Sequence, residues 1–342
     1  METKLSQRGF ASLLVAAGVL LAAGTTLATE AGFRRFDAPA ESGSQEAIHV
    51  VLYYPTQDSA TAVPMGPFTP TVAINGEPDA SIKGLLLLSH GTGGSELGHT
   101  SLAESLAKNG YLVAALRHPR DNWQDQSLLS VPGGYYFSER PRQASRVIDA
   151  ILRDSGWRAR IKADAHGPRI GALGHSAGGY TVLALAGGIP DLSRIASHCG
   201  TSSEDPIFCS MKRRETNVPT EKISFDGLRD TRVRAVAALA PAGVMFSAQS
   251  LATISIPTTI YAGDKDTFLV PRYHAEWLRQ NIAKAEYHAI PNAGHYAFMD
   301  TPSIPIPSPD GDLRANPEGF DRSAFQKKLA EELNRFFDGA LQ

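Results

Sequence analysis

The chain predicts an α/β fold, a mostly parallel sheet flanked by helices on both faces. Two features lead to that class. Runs that are apolar throughout recur at 84–89, 111–116, 169–173, 233–239 and 256–262, the pattern of strands buried on both faces. Helical patterns lie between them, and parallel neighbours need such crossovers. No period of roughly 20 to 50 residues recurs, which excludes a repeat array. The 342 residues are 42% hydrophobic and 20% charged, enough to bury a sizeable core. We read one domain over 29–342 with an inserted segment, not two domains.

In order, 33–36 and 48–54 read as two strands, the second stopped by Pro55. Residues 56–81 carry many Pro, Thr, Ala and Gly and read as a surface connection. The strand at 84–89 runs into His90-Gly91-Thr92-Gly93-Gly94-Ser95, then an amphipathic helix over 97–109 that Gly110 stops. After the strand at 111–116 comes a polar loop with aromatics over 118–136, then a helix over 138–153. The strand at 169–173 leads to a small-residue helix pattern over 180–187. Residues 190–230 are polar, lack strong periodicity and read as an insertion that overhangs the site. Strands at 233–239 and 256–262, a helix over 272–283 and a strand at 286–290 follow. A helix over 321–339, with Phe325, Leu329 and Leu333 at apolar positions, closes the chain.

The N-terminus stands apart. Lys4 and Arg8 precede a largely apolar run over 10–23, then Gly24-Thr25-Thr26-Leu27-Ala28. This is the pattern of a secretory signal peptide over 1–28, cut after Ala28 or, as second choice, near Ala31. The apolar run is short for a membrane span, so no stable membrane insertion is expected after cleavage. The expected location is periplasmic or secreted. Cys199 and Cys209, the only cysteines, then read as one local disulfide. Net charge is −2 with both signs scattered, which points away from a nucleic-acid partner. Two cysteines without clustered histidines make a poor zinc site, and neither metal nor organic cofactor is expected.

The chemistry centres on Gly174-His175-Ser176-Ala177-Gly178. Gly-x-Ser-x-Gly between a strand and a helix places the serine on a sharp turn with its hydroxyl projecting, and the two glycines let strand and helix pack closely. The helix N-terminus adds partial positive charge. A serine hydroxyl needs a base, and the base needs a carboxylate to hold its tautomer. Among ten histidines, His295 lies in a loop after the last strand, where functional groups gather in such sheets. His274 and His288 fall in a helix and a strand and read as surface or packing residues; His175 adjoins the serine and should point away from it. For the acid, the strand at 256–262 runs into Gly263-Asp264-Lys265-Asp266; Asp266 is preferred to Asp264, with Asp300 a remote option. Two oxyanion donors are needed. The Ala177 backbone N–H is one, and the glycine-rich 90–94 loop supplies the other, with Thr92 first and Gly93 second. That loop lacks the Gly-Lys-Ser/Thr ending of a phosphate cradle.

Over residues 33–337 these motifs resemble the α/β-hydrolase superfamily. Leu88-Ser89-His90-Gly91-Thr92-Gly93-Gly94, Gly174-His175-Ser176-Ala177-Gly178-Gly179, Ala240-Pro241-Ala242, Gly263-Asp264-Lys265-Asp266 and Ala293-Gly294-His295-Tyr296-Ala297-Phe298 look like the bacterial predicted dienelactone hydrolases related to platelet-activating-factor acetylhydrolases. The resemblance implies an α/β-hydrolase fold and a serine esterase, and pairing of Cys199 with Cys209 suits that group. Two departures matter. Dienelactone hydrolases proper use cysteine where this chain has Ser176. The acetylhydrolases carry their acid after the strand preceding Pro241, where this chain has no Asp, which favours Asp266.

The expected function is hydrolysis of a carboxylic ester, a short acyl ester or lactone, through an acyl-enzyme on a Ser176–His295–Asp266 triad, with a small-molecule ester as partner. A peptidase or amidase could use the same triad, as could a lipase-like enzyme. A non-catalytic binding protein on this scaffold would normally have lost a triad member. The aromatics of 118–136, Trp123, Tyr135 and Tyr136, read equally as a pocket wall or as surface cover.

Overall fold

The computed structural model describes residue 1 and residues 29–40, 46–131, 134–201, 203–211 and 224–342. Apart from Met1, the expected signal peptide lies outside the described residues. The strands are β1 (Glu30–Ala38), β2 (Ile48–Thr56), β3 (Thr61–Ala62), β4 (Thr71–Ile74), β5 (Leu85–Ser89), β6 (Leu112–Leu116), β7 (Ala163–Asp164), β8 (Gly167–Pro168), β9 (Ile170–His175), β10 (Val233–Leu239), β11 (Thr258–Gly263), β12 (Ala285–Ile290), β13 (Pro307–Ser308) and β14 (Gly311–Asp312). The helices are α1 (Thr100–Lys108), α2 (Tyr135–Arg153), α3 (Ser155–Arg160), α4 (Ala177–Ala186), α5 (Leu192–Thr201), α6 (Pro206–Met211), α7 (Ala248–Leu251), α8 (Ala275–Asn281) and α9 (Arg322–Ala340).

One sheet runs in the order β12-β11-β10-β9-β5-β6-β2-β1-β4-β3. The six strands from β12 to β6 are parallel. Beyond them β2 runs antiparallel to β6 and β1 antiparallel to β2. Side chains alternate across each strand. Leu52, Leu85 and Leu87 therefore pack under α2, α4 and α8 on one face. Tyr53, Leu86 and Leu88 pack under α1 and α9 on the other, against Leu106, Leu333 and Phe337. Both faces are covered over β5, β6, β9 and β11, which are buried throughout, whereas the edge strand β12 carries polar residues that are exposed or half-buried.

The structure departs from the sequence reading in several places. The 56–81 connection carries β3 and β4, and β4 joins the sheet beside β1. Four residues with only Val72 and Ala73 buried leave too little pattern to read as a strand. Helix α2 starts at Tyr135, because Gly134 at φ 82° turns the chain into it, so Tyr136 sits in a helical first turn and not in a loop. In the 190–230 insertion the described residues hold two short helices, α5 and α6.

Strand β5 has β6 on one side and β9 on the other. Chain order reverses there, and in open parallel sheets the crevice at the carboxyl ends of such strands is where ligands bind. The loops leaving β5, β9, β11 and β12 all emerge at that edge. They carry Thr92, Ser176, Asp266 and His295.

Candidate active site

Ser176 follows β9 directly and starts α4, with φ 57° and ψ −118°. A non-glycine residue in this region carries about 1–3 kcal/mol of strain and persists only where its surroundings hold it. Here the Ser176 N–H donates to the Leu239 carbonyl at 2.9 Å, and the Ser176 carbonyl accepts from the Ala242 and Tyr180 amides. The turn also demands glycine on either side. A Cβ on Gly178 would lie 1.9 Å from the Ser89 carbonyl oxygen, and one on Gly174 would lie 2.1 Å from that of Gly178. The elbow, the end of β5 and β10 are thus in backbone contact.

His295 opens a short 3-10 turn, His295–Phe298, after β12. Its Nδ1 lies 2.7 Å from Asp266 Oδ2 and its Nε2 lies 3.0 Å from Ser176 Oγ. The other Asp266 oxygen, Oδ1, accepts the Phe268 and Leu269 amides at 2.9 and 2.8 Å. An ionised carboxylate only accepts, so His295 donates from Nδ1 and presents the Nε2 lone pair to the serine hydroxyl. The Phe268 ring stacks on the imidazole, centroids 4.7 Å apart at 14°. All three residues are buried.

The structure brings Ser176, His295 and Asp266 together and leaves the other candidate acids outside. Asp264 Oδ1 accepts the Asn292 amide at 2.7 Å, an exposed turn contact. Asp300 Oδ2 accepts the Ser101 amide at 2.9 Å in the first turn of α1. The His175 ring is buried away from the Ser176 hydroxyl, with Nε2 3.0 Å from the His295 carbonyl oxygen. His274 is no surface residue. It is fully buried, with Nδ1 accepting the Gly243 amide at 3.1 Å and Nε2 2.9 Å from Asp205 Oδ2.

In the 90–94 loop Gly93 donates its amide to Asp121 Oδ1 at 2.9 Å, and Gly94 donates to the Gly91 carbonyl at 3.1 Å. Among the described residues the Thr92 and Ala177 amides have no protein acceptor. The Thr92 hydroxyl pairs with the Tyr136 hydroxyl at 2.7 Å. Residues Thr92, Ser176 and Ala177 line one cavity with Tyr136, Tyr180 and Phe268. The insertion closes it with Leu192, Ile195, Phe208 and Met211. No charged side chain lines it among the described residues. Its volume is about 140 Å³, close to an apolar cavity known to take benzene. Trp123 is exposed and not part of the wall; of the three loop aromatics, Tyr136 lines it. Cys199 and Cys209 are disulfide-bonded, joining α5 to α6.

Four buried histidines surround the elbow. Burial first, and Arg140 second, pushes His90 down to about 4; burial takes His99 to about 3 and holds His118 and His175 well below the usual imidazole range. Near neutral pH they are uncharged. His118 donates its amide to His90 Nε2 at 3.1 Å, which leaves His90 Nδ1–H to donate to the Gly91 carbonyl. Sequence reasoning also missed the buried Asp121 and Arg140, which an amphipathic pattern cannot distinguish from solvated charges.

No family model matches the chain, and no curated protein matches it. Solved structures do. A ferulic acid esterase from Streptomyces cinnamoneus is similar at 18% identity and TM-score 0.61, over 94% of this chain and 92% of that one. A dienelactone hydrolase from Anabaena variabilis is similar at 14% identity and TM-score 0.50, over 91% and 99%. At these identities the likeness is one of fold. The chain has the α/β-hydrolase fold.

Proposed function

We propose that the protein is a serine hydrolase that cleaves carboxylic esters, short acyl esters or lactones, of small, uncharged, largely apolar acids. The observation that carries this reading is the hydrogen-bonded chain Ser176 Oγ–His295 Nε2, His295 Nδ1–Asp266 Oδ2 at the switch point of the sheet. Ser176 Oγ attacks the ester carbonyl while His295 Nε2 takes its proton, and Asp266 stabilises the imidazolium. The Thr92 and Ala177 amides hold the oxyanion, each contributing about 3 kcal/mol to the barrier. Collapse expels the alcohol, protonated by His295. Water then attacks the acyl-enzyme by the same route and frees the acid and Ser176.

The apolar cavity beside Ser176 supports an apolar acyl group about the size of one aromatic ring. Burying a charge there unpaired would cost several kcal/mol. The solved structures with this fold include a ferulic acid esterase and a dienelactone hydrolase, in keeping with ester cleavage. The disulfide and the N-terminal pattern of the sequence support an exported protein; the N-terminal residue of protein recovered from cell fractions tests that.

A fluorophosphonate probe tests the core claim. The wild type is expected to be labelled at Ser176 and Ser176→Ala not at all; equal labelling of the two refutes the mechanism. A panel of p-nitrophenyl esters, lactones and aminoacyl anilides separates esterase from amidase, with acetyl to benzoyl esters expected to be cleaved and succinyl esters refused.

A further inference from the structure

Arg140 and Asp121 are an ion pair with no solvent exposure on either side chain. Taking two charges out of water costs several kcal/mol per ion, and an apolar pair of similar size is often as stable. Stability alone is therefore a weak reason for the pair. Its contacts suggest another. The planar guanidinium sends fixed N–H vectors to several places. Nη1 meets Asp121 Oδ2, Nη2 meets the His90 carbonyl and lies 3.3 Å from Ser89 Oγ, and Nε donates to Thr181 Oγ1 at 3.1 Å. Asp121 Oδ1 takes the Gly93 amide. The two groups thus grip the backbone on both sides of Thr92. Gly93 itself stands at φ 64°, where a looser loop could turn its peptides either way. On the other arm, Thr181 Oγ1 donates to the Ala177 carbonyl at 2.9 Å, in the first turn of α4.

We propose that Arg140, with Asp121, is a positioning residue that ties the two oxyanion donors to each other. One arm sets the 90–94 loop that presents the Thr92 amide, and the other sets, through Thr181, the turn that presents the Ala177 amide. The proposal rests on the esterase reading above. Arg140 touches neither substrate nor reacting atoms, and it does not line the cavity. Its effect belongs to the tetrahedral state, where the oxyanion forms, and not to binding of the intact ester. Lysine keeps the charge but cannot reach Asp121, His90 and Thr181 at once.

The test compares wild type with Arg140→Lys, Asp121→Asn and Thr181→Val. Three quantities are read: the acylation rate constant and ground-state affinity for p-nitrophenyl acetate, the inhibition constant of a trifluoromethyl ketone whose adduct with Ser176 carries an oxyanion, and the thermal midpoint. For Arg140→Lys and Asp121→Asn, acylation is expected to fall about 100-fold and the ketone to weaken by the same factor, with ester affinity within about threefold. Thr181→Val removes one anchor and is expected to cost about fivefold in both. Ketone affinity left at the wild-type value in a folded variant, or ester and ketone weakened alike, overturns the proposal. If the two ion-pair variants do not fold, Thr181→Val decides it: unchanged acylation and ketone binding overturn it, a matched loss in both supports it. A wild type that neither cleaves the ester nor binds the ketone refutes the esterase reading and this proposal together, whereas an active wild type with unaffected variants refutes the proposal alone.

Discussion

Around Ser176 the supporting polar groups reach into the backbone of the sheet's own loops, while across the cavity, among the described residues of the 190–230 insertion, the buried Asp205 gathers two histidines. On the elbow side, Arg140, Asp121, His90 and His118 bind one another and the carbonyls and amides of 89–94. Glycines put backbone on backbone. On the insertion side, the buried Asp205 Oδ2 lies 2.9 Å from both His198 Nε2 and His274 Nε2. Arg194 donates to the Val244 carbonyl at 3.0 Å and its guanidinium stacks on Trp277 at 4.2 Å. The disulfide closes α5 on α6. One wall grows out of the strands and cannot shift without moving them. The other is laid over the sheet and held at a few points. In the proposed enzyme, reaction geometry belongs to the first wall and acyl selection to the second.

The comparison can be broken most sharply at the acid. Asp266→Asn, which disturbs the His295 tautomer, is expected to lower kcat about 10⁴-fold, while Asp264→Asn stays within about threefold. Steady-state hydrolysis of p-nitrophenyl acetate checks both, and the reverse ranking would reassign the acid.

Next in size is acid lability of the elbow side. In the unfolded chain imidazoles bind protons below about pH 6.5. Folded His90 and His99 do so only near 4 and 3, and His118 and His175 well below 6.5, so their contribution is lost as pH falls through 6.5. Burial raises Asp300 to about 6 and Glu104 to about 7, and these act in the opposite sense, favouring the folded state as pH falls. The four histidines outnumber the two raised carboxyls, so stability should fall as pH drops from about 6 to about 4.5. Urea midpoints across that range measure it, and a flat profile would mean the histidines are not buried as described.

The insertion is expected to fail separately. Closing a ten-residue separation restricts the unfolded loop by about 3 kcal/mol. Cys199→Ser with Cys209→Ser should open 190–230 to protease while fluorophosphonate still labels Ser176; loss of both together would make the two regions one cooperative unit. The smallest effect is at the wall. Phe208→Ala should lower kcat/KM about tenfold for a benzoyl ester and less for an acetyl ester, as expected from lost apolar contact of about 1–3 kcal/mol. Trp123→Ala, exposed outside the cavity, should move neither by more than about twofold.

Much of this was legible in the chain itself. Continuous apolar runs disclosed the parallel strands, since burial on both faces leaves no place for polar alternation. Local turn chemistry pointed to Ser176, to the turn that holds Asp264 and Asp266, and to His295, because an elbow, a Gly/Asp turn and a Gly-His loop each write their backbone demands into neighbouring residues. The cysteine pair was equally local.

What the sequence by itself determined is thus the layered α/β class and where the loops with chemistry leave their strands. Tertiary structure alone decided that Asp266, and not Asp264 or Asp300, faces His295, that Tyr136 and not Trp123 lines the cavity, and that Arg140, Asp121, Asp205 and His274 are buried. The physical reason is range. A strand, a cap or a tight turn depends on residues within a few positions, whereas a buried charge is defined by partners tens of residues away. Arg140 meets Asp121 across 19 residues and His90 across 50, and only packing brings them into contact.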